Sequence, residues 1–214
     1  MTFSYAVYPV ISSDLPALGN FIHAAKLALS INRVIFLNWP NEKLQSSLYS
    51  HAVRTGYENP AAECFKAVDI ETGEIIGYIV LSRRTPESKD TISQGDVEQS
   101  VPEGLNPPLF AEVTNATKQI AEEVSDKHPL DVVYICVKPA FQRRGVGSTL
   151  VQLGVDRAKA EDRSLVVCAE APSIPFFEKL GFKETIHVDM DLRKYAPANS
   201  GFGIFRLAGM LWHS

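Results

Sequence analysis

The stretch from Asp131 to Glu161 constrains this chain more than any other. Asp131 to Val137 is a β-branched run that reads as a strand, Lys138 to Phe141 as a turn, and Gly145 to Glu161 as a helix with Leu150, Leu153, Gly154 and Ala158 inward. At the joint lies Gln142-Arg143-Arg144-Gly145-Val146-Gly147-Ser148, two glycines one residue apart with arginines before and a hydroxyl after. Glycines so placed let successive backbone N–H groups point into one concavity, and the helix dipole adds about half a positive charge there. A diphosphate suits such a cradle. A lone Gly-x-Gly also marks an ordinary tightened turn, so the neighbouring residues matter. A nucleoside-triphosphate loop requires Gly-Lys-Ser or Gly-Lys-Thr, and the dinucleotide fingerprint requires a third glycine where Leu150 stands. Neither pattern is met.

The surrounding periodicities describe an α/β chain. Tyr5 to Val10 reads as a strand, and Ser12-Ser13-Asp14 can cap a helix whose Leu18, Ile22, Ala25 and Leu29 share one face, ending near Ser30 to Asn32. A second helix spans about Asn41 to Arg54 and stops at Gly56. Strands over Phe65 to Ile70 and Glu74 to Ser82 flank the turn Glu71-Thr72-Gly73. Thr85 to Leu105, rich in Ser, Gly, Pro and acids, reads as a mobile surface loop, and Pro107-Pro108 opens a helix that ends before His128-Pro129. Beyond the long helix come a strand over Ser164 to Ala169, a short helix over Ile174 to Leu180, and closing strands over Thr185 to Leu192 and Ile204 to Trp212. With 214 residues and no linker or repeat, a single domain over 1–214 is expected.

Charge and composition exclude several functions. A net charge of -4 offers no positive field to attract nucleic acid or anionic lipid, and no apolar run approaches the roughly 20 residues that span a bilayer. Met1 to Tyr5 lacks the pattern of a signal peptide, so a soluble, cytoplasmic protein is expected. Cys64, Cys136 and Cys168 are odd in number, far apart and flanked by apolar residues, as reduced buried thiols would be. The histidines, including His23, His51, His187 and His213, show no metal-ligand spacing, and no metal is expected.

Two blocks together resemble the GCN5-related N-acetyltransferase (GNAT) family. Val137-Lys138-Pro139 followed by Gln142-x-x-Gly145-x-Gly147 matches its strand and phosphate-loop signature, and Pro175-Phe176-Phe177-Glu178-Lys179-Leu180-Gly181-Phe182 is similar to its later Phe-Tyr-Glu-Lys-x-Gly-Phe segment. The order of elements agrees from about Phe3 to Trp212. The resemblance implies a mixed sheet of six or seven strands, helices on both faces, and a splay between the strands ending near Val137 and Ala169. It also implies acetyl-CoA in the splay, without metal. Ile135, Cys136 and Val137 would pair with the pantetheine arm, and Gln142, Arg143, Arg144, Gly145, Val146, Gly147 and Ser148 would hold the pyrophosphate, with Phe177 against the cofactor or the adjacent helix.

Acetyl transfer to an amine needs a base, an oxyanion donor and a proton for the leaving thiolate. The resemblance puts the base at Asp131, although a strand opening after His128-Pro129-Leu130 also commonly carries a solvated acid. Glu170 and then Glu112 are the other candidates. Where the family commonly has a tyrosine as general acid this chain has Phe177, so Tyr134, Ser173 or a water would substitute. Cys136 borders the implied site but has no evident base partner.

For the acceptor, Thr85 to His128 carries nine acidic residues against three lysines, which would concentrate a small cationic amine if the segment covers the mouth, or simply keep a loop soluble. Tyr8, Phe36 and Trp39 lie where the family builds one wall of the acceptor pocket. An acyl-CoA-binding module without turnover and a protein-lysine acetyltransferase are the competing expectations. The closing strands would offer a surface for a homodimer.

Overall fold

A computed structural model describes residues 3–84, 101–124 and 129–213. Among the described residues seven strands form one sheet: β1 (Tyr5–Pro9), β2 (Ala62–Asp69), β3 (Ile75–Arg83), β4 (Leu130–Val137), β5 (Leu165–Glu170), β6 (Lys183–Asp191) and β7 (Ile204–Trp212). Their order is β1-β2-β3-β4-β5-β7-β6, antiparallel throughout except where β4 runs parallel to β5. The helices are α1 (Leu15–Lys26), α2 (Asn32–Ile35), α3 (Glu42–Glu58), α4 (Pro107–Glu123), α5 (Val146–Ala160) and α6 (Ile174–Lys179).

Alternation along the strands divides the core between two faces. Phe65, Ala67, Ile79, Leu81, Leu165, Val167 and Ala169 pack with Val146, Leu150, Val151 and Val155 of α5 and Phe177 of α6. On the other face Tyr78 and Val80 meet Leu18 and Ile22 of α1 and Val53 of α3. There too Val166 and Leu207 meet Leu109, Ala116 and Ile120 of α4.

Two boundaries differ from the sequence expectation for local reasons. The second helix runs through Gly56 to Glu58; an interior glycine costs a helix only about 1 kcal/mol, and Pro60 is the stronger stop. The first helix ends at Lys26, and the chain re-enters a single helical turn at Asn32. Of the expected mobile loop over 85–105, residues 85–100 lie outside the described residues. Its far end is anchored, with Leu105 buried and bridged to Phe36.

Beta4 carries the feature that positions the site. Against β3, Val80 faces Tyr134 while Leu81 faces Val132, so Val133 is an extra, unpaired residue and stands 50% exposed. Such a bulge bends a strand and shifts its side-chain alternation. Leu130 and Val132 point into the α5 face, whereas Tyr134 and Cys136, of the same parity, point to α1 and α3. Beta5 follows β4 only over Leu130 to Val132, paired with Leu165 to Val167. From Val133 to Val137 the β4 edge toward β5 has no strand partner among the described residues, and the sheet opens into a splay.

Candidate active site

One wall of the splay is the phosphate-type loop. Gly145 caps α5 in a left-handed conformation, φ 87°, and Arg143 also has positive φ, 59°. The first-turn N–H groups of α5 have no carbonyl within the helix to bond and face out of its N-terminus. A Cβ at Gly147 would lie 3.3 Å from the Phe176 ring and 3.6 Å from Val137, so glycine keeps the loop flush against both. Gln142 ties loop to strand, its Nε2 donating to the Val137 carbonyl at 3.1 Å. Arg144 lies over the rings of Phe3 and Phe141, 5.2 and 5.6 Å from their centroids.

A polar cluster occupies the α1 side of the splay. Lys26, in the last turn of α1, reaches across to Glu170 at the end of β5, Nζ to Oε1 2.6 Å, with both side chains about three-quarters buried. Burial works against the Lys26 ammonium, but the charge and hydrogen bond of Glu170 outweigh it and leave the pKa above the ordinary lysine value. Tyr134 and Cys136 feel the charges of Lys26 and Glu170; burial raises the phenol and pushes the Cys136 thiol up to about 11. Tyr49 of α3 is pushed up to about 12, chiefly by burial. Asn32 closes the cluster, donating from Nδ2 to the Lys26 carbonyl at 2.7 Å and to the Tyr49 hydroxyl at 3.1 Å. Cys168 is exposed on β5, two residues before Glu170.

Of the residues singled out from sequence, Glu170, Tyr134 and Cys136 come together here, and Ser173 sits three residues past Glu170 as the N-cap of α6. Asp131 lies elsewhere. It is three residues before Tyr134, about 10 Å along the strand, and is gripped by Arg84, Nη2 to Oδ1 2.5 Å and Nε to Oδ2 3.1 Å. Burial raises its pKa although Arg84 pulls the other way. Glu112 accepts a hydrogen bond from the Tyr195 hydroxyl. Phe177 is 2% exposed and packs edge-on against Phe176 and Phe182, so its ring belongs to the core, and Phe176 is the aromatic beside the loop. The sequence reading missed Lys26, Asn32 and Tyr49. Lys26 stands four residues after the buried Ile22, on the packed side of its helix, which was its only local signal.

The arrangement thus offers an anion cradle, an unpaired strand edge leading inward from it, and at the inner end a carboxylate already holding an ammonium beside a protonated phenol. Residues 31–182 match the family described as acetyltransferase (GNAT) family. A search of curated proteins returns no match. Among solved structures, arylalkylamine N-acetyltransferase 2 from Aedes aegypti is 14% identical with a TM-score of 0.70, covering 98% of this chain and 99% of that one. Drosophila melanogaster polyamine N-acetyltransferase is 14% identical with a TM-score of 0.68 over 99% and 100% of the two chains. Arabidopsis thaliana NAA60 in complex with acetyl-CoA is 13% identical with a TM-score of 0.54 over 98% of each. These likenesses concern the fold; it is the family match over most of the chain that identifies it, and the protein belongs to the GNAT family and is an acetyltransferase.

Proposed function

We propose that this chain, as one domain, transfers the acetyl group of acetyl-CoA to a small cationic primary amine by direct attack in a ternary complex, in a cytoplasmic setting. The observation that carries the reading is the Glu170 carboxylate 2.6 Å from an ammonium in the splay, the arrangement an acceptor amine needs before it gives up its proton. Acetyl-CoA would lie with its pantetheine amides along Ile135 to Val137 and its pyrophosphate on the N–H groups from Arg143 to Ser148. The flush surface at Gly147 and the open β4 edge fit such a ligand.

Glu170 is the proposed base. The amine attacks the thioester carbonyl as Glu170 accepts its proton, and the departing thiolate takes a proton from the Tyr134 hydroxyl, which burial keeps protonated. Ser173, the N-cap of α6, is the candidate for orienting the acceptor. Asp131, engaged by Arg84, serves the fold at the closed end of the splay. Acceptor charge is supported by the acidic excess of Thr85 to His128, and the polyamine and arylalkylamine acetyltransferases of similar fold accord with it.

The test is thiol release from acetyl-CoA over polyamines, arylalkylamines, amino acids and basic peptides, corrected for hydrolysis without amine. Saturable release with one amine class, abolished in Glu170→Gln, is the expected result. Release that survives Glu170→Gln would return the search for the base to Asp131.

A further inference from the structure

Lys26 is a primary amine on a flexible stem, and its nitrogen is hydrogen-bonded to the carboxylate proposed above as the base. It reaches the splay at the level of Tyr134 and Cys136, on the open stretch of β4, and both feel its charge. Asn32 fixes the backbone at this point by bonding the Lys26 carbonyl, so the side chain is presented from a set position. The chain therefore carries, inside its own site, the contact that an acceptor amine would make.

We propose that Lys26 is an internal acceptor: with acetyl-CoA bound and no amine present, the protein acetylates itself once, at Lys26 Nζ. The inference rests on acetyl-CoA lying along β4 as described under the proposed function. Lys26 begins as an ammonium and loses one proton through Glu170. The nitrogen lone pair forms a C–N bond to the thioester carbonyl carbon, the C–S bond breaks, and the second nitrogen proton is given up to the thiolate. The balance is lysine ammonium plus acetyl-CoA giving N-acetyl-lysine, CoA thiol and one proton, with no oxidant or reductant. The product is a neutral amide with no ionisable proton to return, so the event is stoichiometric. It also removes the positive charge that holds Glu170.

The experiment incubates the full chain with acetyl-CoA alone, counts the thiol released per chain, maps acetylated peptides by mass, and measures acetyl-CoA binding by calorimetry. Expected is one equivalent of thiol and a single acetyl mark at Lys26, well above any mark at the exposed Lys43, Lys179 and Lys183. Lys26→Arg keeps a cation for Glu170 but is not nucleophilic, and should bind acetyl-CoA while losing both the thiol equivalent and the mark. Glu170→Gln should slow the marking at least tenfold. Binding without a Lys26 mark, thiol release without a mark, or marks spread equally over exposed lysines would overturn the inference; amine turnover in the same preparation would leave the proposed function standing. Failure to bind acetyl-CoA would sink both.

Discussion

Arg84, one residue past β3, holds Asp131, at the start of β4, by two hydrogen bonds, while a third from Arg84 Nη1 reaches the Ala121 carbonyl of α4 at 2.8 Å. The guanidinium thus fastens the sheet to a helix just below the point where β4 and β5 part. Asp131→Asn should leave turnover within about threefold of wild type and cost about 1–3 kcal/mol of stability, the range for weakening a charged hydrogen bond. Urea unfolding beside steady-state kinetics checks both halves.

Glu170→Gln should do the reverse. Loss of a general base lowers kcat by roughly 10²- to 10⁴-fold, and acetyl-CoA affinity should hold because the carboxylate lies beyond the strand edge and loop assigned to that ligand. A large drop in acetyl-CoA affinity with kcat intact would reassign Glu170 to binding.

The two loop glycines should fail differently. At Gly145, φ 87°, an added methyl meets only the Tyr5 hydroxyl at 3.7 Å, so Gly145→Ala is strained by backbone conformation alone, about 1–2 kcal/mol. Gly147→Ala requires the Phe176 ring, 3.3 Å away, to give by a few tenths of an ångström. Phe176→Leu should therefore restore acetyl-CoA binding to Gly147→Ala and do nothing for Gly145→Ala.

Phe177→Tyr looks like a repair of a missing general acid, but the ring is 2% exposed among Phe176 and Phe182. A hydroxyl there lacks a partner and should cost about 1–3 kcal/mol with no rise in kcat. A higher kcat at unchanged stability would mean that the ring reaches the splay during turnover.

Lys26 makes stability depend on alkaline pH. Its pKa is raised in the fold, so its contribution is complete below the unfolded lysine value of about 10.4 and is lost as pH climbs through the higher folded value. Above about pH 10 the wild type should lose stability more steeply than Lys26→Met, in thermal melts of the two proteins side by side.

The elements and the phosphate-type loop were readable because they depend on local spacing: the apolar periods of α1, α4 and α5, Pro107-Pro108, and the glycines at 145 and 147. The pairing of Lys26 with Glu170 was not, since the partners are 144 residues apart and each looks ordinary among its neighbours. Asp131 stands out in the sequence by its place relative to the loop, and only the fold brings Arg84 against it. Val133 was hidden for another reason. Val132-Val133-Tyr134-Ile135 is an unbroken β-forming run, with no glycine or proline to mark an extra residue.

That extra residue is what lets β4 part from β5. Arg84 anchors β4 at Asp131 and Gln142 anchors it at Val137, and Val133 is the slack between these two fastenings. Removing Val133 would leave every functional group in the sequence and on its present face, with Val132 and Tyr134 opposite Leu81 and Val80 in unbroken alternation, but it would take out the bend at which β4 leaves β5. A single lost codon there should thus narrow the splay and lower activity without removing or reorienting Tyr134 or Cys136.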